Sequence, residues 1–301
     1  MKIKFIINPS SGFQDHETQL NKISDLIAVD HIVDKYFTEE KDDAKNEAIS
    51  AIKDNYDLLI VSGGDGTVNE IANAVGIMKS KIPVAILPNG TVNDFAKYLN
   101  NPTDPLQFVD MVLAQKTVDV DLGCINGYFF ANVAAIGTIS EIAHDVDKET
   151  KAILGKLAYY IEGIKKIPDI FSKTTNLRIE TRDAVYEEDA IVAIISNTAY
   201  IGGFKNLAPR AQITDGYFDV IVIKKTDLLG ATDVFIKTLT GDHIDNENVL
   251  YFHTDNLKVT GLSTEDIPFD IDGEYGGILP VEFKVIPRQF RVIIDVKLEG
   301  E

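Results

Sequence analysis

Two kinds of residue in this chain could do chemistry: a glycine-rich turn able to hold an anion, and clustered carboxylates able to hold a cation or take a proton. The turn is Ser62-Gly63-Gly64-Asp65-Gly66-Thr67-Val68-Asn69-Glu70. Its glycines permit backbone conformations that a side chain forbids and let a ligand approach the main chain. Free N–H groups at the start of a following helix, together with the positive end of its dipole, favour a phosphate there. Asp65 would repel a bare phosphate, so the loop suits a metal–nucleotide complex. The same residues also read as a tight surface turn after a strand. They carry neither the lysine of a Walker loop nor the sixth-position glycine of a dinucleotide-binding turn.

The carboxylates form two clusters, Gln212-Ile213-Thr214-Asp215-Gly216-Tyr217-Phe218-Asp219 and Asp270-Ile271-Asp272-Gly273-Glu274. Asp-Gly pairs are ordinary turn chemistry, so each cluster also reads as a β-turn or hairpin. The second run is denser. Its carboxylates repel one another unless solvated or sharing a hard cation such as Mg²⁺, and one placed beside a hydroxyl can act as a general base.

These residues need elements to position them. The apolar run Leu58-Leu59-Ile60-Val61 reads as a buried strand before the glycine turn, and Val68, Ile71, Ala72 and Val75 then recur at helical spacing. Strand 3–7 leads likewise into Asn8-Pro9-Ser10-Ser11-Gly12. Strand 84–87 leads into Pro88-Asn89-Gly90-Thr91-Val92-Asn93-Asp94-Phe95. Strands separated by helical patterns imply a parallel sheet with right-handed crossovers, and ligands of such sheets sit outside the carboxyl ends of the strands. All three polar loops fall at that end.

After Asp121-Leu122-Gly123 the texture changes to short, branched or alternating runs at 177–182, 191–196, 217–223, 257–260, 281–285 and 290–295. These read as a mainly antiparallel second domain, interrupted by helical patterns near 150–171 and 227–240. In the first helical pattern Ile153, Leu157, Ile161 and Ile164 form an apolar stripe beside Lys151, Lys156, Lys165 and Lys166. That stripe reads as a helix packed on its own domain or as a basic amphipathic membrane contact.

Composition narrows the classes. At 301 residues, with 45% hydrophobic and 25% charged residues, the chain is globular and long enough for two domains. No run reaches transmembrane length, and the N-terminal apolar stretch is too short for a signal peptide. One cysteine, Cys124, excludes an intrachain disulfide and suits a reducing cytoplasm, while five scattered histidines lack zinc-site spacing. A formal net charge of −18 disfavours nucleic acid and purely electrostatic docking to an anionic membrane.

The glycine turn taken with the Pro88–Phe95 segment resembles the diacylglycerol kinase catalytic domain, in particular the soluble bacterial lipid kinases. Further landmarks are Asn8-Pro9 with Gly12, Asp119-Val120-Asp121-Leu122-Gly123, Asn132 with Gly137, Asp215-Gly216-Tyr217-Phe218-Asp219 and Asp272-Gly273-Glu274. The resemblance spans nearly the whole chain. It implies an N-terminal α/β nucleotide-binding domain with a parallel sheet, like that of phosphofructokinase and NAD kinase. A C-terminal antiparallel β-sandwich-like domain would follow, with the active site in the interdomain cleft. Since the chain end returns in that family, the expected division is 1–122 with 290–301, and 123–289.

The resemblance also implies the site. ATP would be held by Asn8, Pro9, Ser10, Ser11 and Gly12, by Thr38, by Gly63, Gly64, Asp65, Gly66, Thr67, Val68, Asn69 and Glu70, and by Thr91, Asn93 and Asp94. Thr38 is flagged by the resemblance alone. A structural Mg²⁺ would take Asp215 through its carboxylate and Gln212 and Tyr217 through main-chain oxygen. Glu274 matches the catalytic base, Asp272 is placed to position it, and Asp65 matches the acidic residue near the active-site metal and nucleotide. The expected reaction is ATP-dependent phosphorylation of a lipid hydroxyl, most readily diacylglycerol to phosphatidic acid. A sphingoid base, monoacylglycerol or phosphatidylglycerol kinase, an NAD kinase and a non-catalytic nucleotide-binding regulator are the alternatives. The protein would be cytoplasmic, meet the membrane transiently to reach its lipid, bind no nucleic acid, and could form a homodimer through edge strands.

Overall fold

The computed structural model describes residues 1–11, 16–137 and 174–295. Gly12 and the helical pattern at 151–171 lie outside the described residues. The chain divides into two compact units: residues 1–132, 213–216 and 286–301 form the first, and residues 133–212 and 217–285 the second. The resemblance implies domain boundaries at 122/123 and 289/290. The compact units change over at 132/133 and 285/286, and the short piece 213–216 joins the first.

The first unit is built on strands β1 (Lys2–Ile7), β2 (Ile32–Phe37), β3 (Leu58–Gly63) and β4 (Val84–Pro88). They run parallel in the order β2-β1-β3-β4. All six residues of β3 are buried, as expected of a strand covered on both faces. Leu59 and Val61 face α2 (Asp43–Lys53), α3 (Asp65–Met78) and α4 (Asp94–Tyr98), which share a core holding Ala48, Val68, Ile71 and Phe95. Leu58 and Ile60 face α1 (His16–Ile27) and α5 (Pro105–Ala114) through Ile23, Ile27 and Phe108. The period-two alternation thus feeds two separate cores.

The strands β5 (Thr117–Ile125) and β6 (Tyr128–Phe130) pair with each other, and β5 also pairs with the last strand of the chain. In the second unit β7 (Val133–Gly137), β8 (Thr175–Glu180) and β9 (Val185–Ser196) precede β10 (Phe218–Lys224), β11 (Val249–Thr254) and β12 (Asn256–Gly261). A hairpin of β13 (Pro268–Ile271) and β14 (Glu274–Ile278) follows. Among the described residues the pairings within this unit are antiparallel, and the architecture is a β-sandwich. The strand β9 serves both parts: residues 185–190 pair with β8, while 192–196 carry β7 on one edge and β10 on the other. The helix α6 (Leu228–Thr240) packs Val234 into the core of β9 and β10.

The last strand, β15 (Val281–Ile293), departs from expectation. The pattern predicts two separate strands, at 281–285 and 290–295. The structure instead carries one strand through an irregularity at Arg288, whose φ is +51°. Its early residues pair antiparallel with β12, and Val292 pairs parallel with Val84 of β4. The chain end therefore does return to the first sheet.

Candidate active site

Four loops leave the carboxyl ends of β2, β1, β3 and β4. The strand ends are level, because Ile7 pairs with both Phe37 and Ser62 while Gly63 pairs with Pro88. Main-chain bonds join each loop to the next strand. The Asn8 amide donates to the Ser62 carbonyl (2.9 Å), the Asn89 amide to the Gly63 carbonyl (3.0 Å) and the Thr38 amide to the Ile7 carbonyl (2.9 Å). Thr38 thus stands directly after β2, level with the other loops.

Side chains then fix the loop shapes. Asn8 Nδ2 donates to Thr67 Oγ1 (3.0 Å), and Asn8 Oδ1 accepts from the Ser10 amide (3.0 Å). Ser11 Oγ donates to the Asn8 carbonyl (2.8 Å), while Pro9 and Ser10 stay exposed. In the loop after β4, Asn93 Oδ1 accepts from the Gly90 amide (2.7 Å) and its Nδ2 donates to the Gly90 carbonyl (2.6 Å). Thr91 is exposed on this loop and Asp94 is buried. The two loops touch main chain to main chain. A Cβ added to Gly90 would lie 2.5 Å from Gly64 Cα, closer than real side chains come.

Helix α3 starts at Asp65 behind the extended residue Gly64, which offers no side-chain cap. The first N–H groups of such a helix have no intrahelical acceptor, and this end is therefore chemically suited to a phosphate. The side chains that follow are engaged inside the unit. Thr67 holds Asn8, Val68 lies in the core, and Asn69 Nδ2 donates to the Tyr128 hydroxyl (2.9 Å). What this segment can offer a ligand is its main chain.

The two acidic residues of α3 serve neighbouring helices. Asp65 Oδ1 accepts the Phe95 amide at 3.2 Å, at the start of α4. Burial pushes its carboxyl up from the ordinary value, against the pull of the Phe95, Asp94 and Asn93 amides and the Lys97 charge. Glu70 Oε2 accepts the Lys45 amide at 3.2 Å, at the start of α2. Its carboxyl is likewise pushed up by burial, opposed by the Lys45, Asp42 and Ala44 amides. The repulsion between Asp65 and a phosphate is thus met partly by protein N–H groups.

A carboxylate without an expected role emerges beside the candidate metal loop. Asp121 of β5 is fully buried, and its two oxygens accept the Gly216 amide (2.7 Å) and the Arg288 amide (2.6 Å). Its own amide donates to the Ile213 carbonyl (2.7 Å), so Asp121 pins residues 213–216 to the first unit. Burial pushes the Asp121 carboxyl up, and the nearby Asp215 charge adds to that push. Asp121 and Asp215 thus bring two carboxylates near each other at this loop, the kind of oxygen ligand that suits a hard cation. Among the described residues no group of three or more His, Cys, Asp or Glu side chains could by itself hold a metal. The alternation Asp119-x-Asp121 was visible in the sequence, but nothing in it distinguished the anchoring residue.

In the second unit, Asp272 and Gly273 form the two-residue turn of the β13–β14 hairpin, with φ of +49° and +82°. Positive φ at both positions is what such a turn demands. Asp272 is clamped to β7, its amide donating to the Val133 carbonyl and its Oδ1 accepting the Val133 amide, both at 2.8 Å. Glu274 is the first residue of β14, half-buried and paired opposite Ile271. The hairpin expectation holds, and the turn sets the place of Glu274 within its own unit.

Comparison with known proteins now bears on this geometry. Residues 2–125 match the family described as diacylglycerol kinase catalytic domain, and residues 132–294 match the YegS C-terminal NAD kinase beta sandwich-like domain. A diacylglycerol kinase of Staphylococcus carnosus is 32% identical over 97% of this chain and 94% of its own length. One of Staphylococcus saprophyticus is 32% identical over 100% and 97%. The crystal structure of a putative diacylglycerol kinase from Bacillus anthracis superposes with a TM-score of 0.84 at 28% identity, covering 98% of this chain and 96% of that one. With the strand-end loops, the uncapped α3 and the two-unit fold, these matches establish that the chain belongs to the diacylglycerol kinase family and is an ATP-using lipid kinase.

Proposed function

We propose that the protein transfers the γ-phosphoryl group of ATP to the free hydroxyl of diacylglycerol, giving phosphatidic acid and ADP. The observation that carries this reading is the set of four level loops around an uncapped helix start. The choice of lipid follows the names of the relatives.

In the proposed mechanism, amides of Gly64, Asp65 and Gly66 bind phosphate oxygens, while the Asn8–Ser11 loop, Thr38, Thr91 and Asn93 orient the nucleotide. The hydroxyl oxygen of the lipid forms a bond to the γ-phosphorus as the bond to the β–γ bridging oxygen breaks. Glu274 accepts the hydroxyl proton, and Asp272 keeps the turn that presents Glu274. Mg²⁺, when bound, would neutralise charge on the phosphates, and a second, structural ion would be held by Asp215 with main-chain oxygens of Gln212 and Tyr217. Fixed donors aimed at developing charge supply the largest share of such catalysis. The enzyme would work from the cytoplasm and touch the bilayer only transiently.

Purified protein given γ-labelled ATP, Mg²⁺ and mixed micelles of candidate lipids, with NAD in a parallel tube, tests the reading. Label should enter phosphatidic acid, and Glu274→Gln should lower kcat by about 10²–10⁴-fold without shifting the melting temperature. Full activity in that variant would remove Glu274 from its role. Label in another lipid, or in NADP alone, would replace diacylglycerol as the substrate.

A further inference from the structure

Helix α6 has two apolar faces. Ala231, Val234 and Thr238 are buried on one side, and Val234 belongs to the core of the second unit. On the other side Leu228, Leu229, Ile236 and Leu239 are 55%, 80%, 58% and 53% exposed. At helical spacing these four span an arc of about 100°, as wide as the stripe a helix ordinarily buries. Thr232 falls inside the arc and satisfies its hydroxyl on the Leu228 carbonyl (2.8 Å). Asp233 and Lys237 pair with each other at 2.8 Å beyond the edge of the arc, so no charged side chain interrupts it. The helix is closed at both ends, by Asp227 accepting the Gly230 amide (2.8 Å) and by Gly241 with φ of +90°. The exposure is therefore not that of a frayed segment.

We propose that this stripe inserts into the surface of a lipid bilayer and holds the enzyme there during turnover. The proposal rests on the lipid kinase reading, since a substrate with acyl chains resides in a bilayer. Among the described residues no helix is long and apolar enough to cross a membrane. A net charge of −18 opposes electrostatic docking to anionic lipid, which leaves apolar insertion as the mode of contact. A second copy of the chain fits the stripe less well. One convex helix offers less than the roughly 800 Å² per partner of a standard interface.

The test uses the full chain. The sequence has no tryptophan, so Leu229→Trp introduces a single reporter. Its emission should shift to the blue on adding phosphatidylcholine vesicles and be quenched by brominated lipid, at low and high salt alike. The double variant Leu229→Asp with Ile236→Asp should lose about tenfold or more in vesicle co-sedimentation. Its activity on vesicle-borne diacylglycerol should fall in parallel, while activity on a monomeric short-chain diacylglycerol and the melting temperature stay unchanged. Unaltered co-sedimentation, binding abolished by salt, or a dimer that the double variant turns into a monomer would each overturn the proposal. Binding is measured without ATP or substrate. A wild-type protein that fails to phosphorylate short-chain diacylglycerol would thus remove the substrate reading and leave the binding result standing.

Discussion

The two units hold their candidate groups in opposite ways. In the first, the level loops expose main chain, and nearly every side chain near the glycine turn is turned inward to hold the loops in shape. In the second, a two-residue turn clamped by Asp272 holds up a single carboxylate, Glu274. Main-chain sites tolerate no added atoms, whereas a side-chain site depends on one residue and its support. Mutation should therefore break them differently.

Adding a methyl group tests the first kind of site most severely. Gly90→Ala forces apart the backbones of Gly64 and Gly90, and kcat/KM for ATP should fall by about 10²-fold, since a shift near 1 Å in a binding loop has that effect. Wild-type ATP kinetics in this variant would break the assignment of the Gly64–Gly90 contact to the nucleotide site. A milder test addresses the support of the hairpin. Asp272→Ala removes the acceptor for the Val133 amide and should lower unfolding free energy by about 1–3 kcal/mol. Asp272→Asn retains an acceptor and a tolerance of positive φ, so chemical denaturation should place it between the two. Equal stability of all three proteins would show that the clamp does not hold the turn.

The smallest effect concerns pH, and it sets two carboxylates of β5 against each other. Asp119 accepts both Arg291 Nε (2.7 Å) and Nη2 (3.0 Å), and this pairing holds its carboxyl below the ordinary value of 3.8. A depressed pKa contributes stability above 3.8 that is lost as pH falls through the folded value. The stability gap between wild type and Asp119→Asn should be about 1 kcal/mol or less near neutrality and shrink in acid. Asp121, pushed up by burial, has the reverse sign: its contribution to stability declines as pH rises through its folded value. A gap that widens in acid would refute the Asp119–Arg291 assignment.

Much of this was legible in the sequence for identifiable reasons. The run Leu58-Leu59-Ile60-Val61 announced a strand buried on both faces, and Val68, Ile71, Ala72 and Val75 announced the helix behind it. Thr38 was not legible on its own, because β2 is an edge strand whose Ile32 and Phe37 are exposed and whose middle carries Asp34 and Lys35. The role of Asp121 was hidden for another reason. Its partners, Gly216 and Arg288, are distant in sequence, and local pattern does not encode such contacts. The continuity of β15 was hidden because the runs 281–285 and 290–295 are separated by residues without a strand pattern, which the structure carries through with Arg288 at φ +51°. The hairpin and the carboxylate readings of Asp272-Gly273-Glu274 are compatible, since the same turn that makes the hairpin fixes the position of Glu274 in β14.

The return of β15 has a consequence for how the protein is made. Val292 pairs with β4, and β5 pairs with β15, so β15 pairs with strands made much earlier. At ordinary rates of translation roughly 10–40 s separate the emergence of β4 from that of its neighbour. Throughout that interval β4 presents an unpaired edge of apolar residues on the ribosome. The first unit can nucleate early but is completed only after β15 has been made.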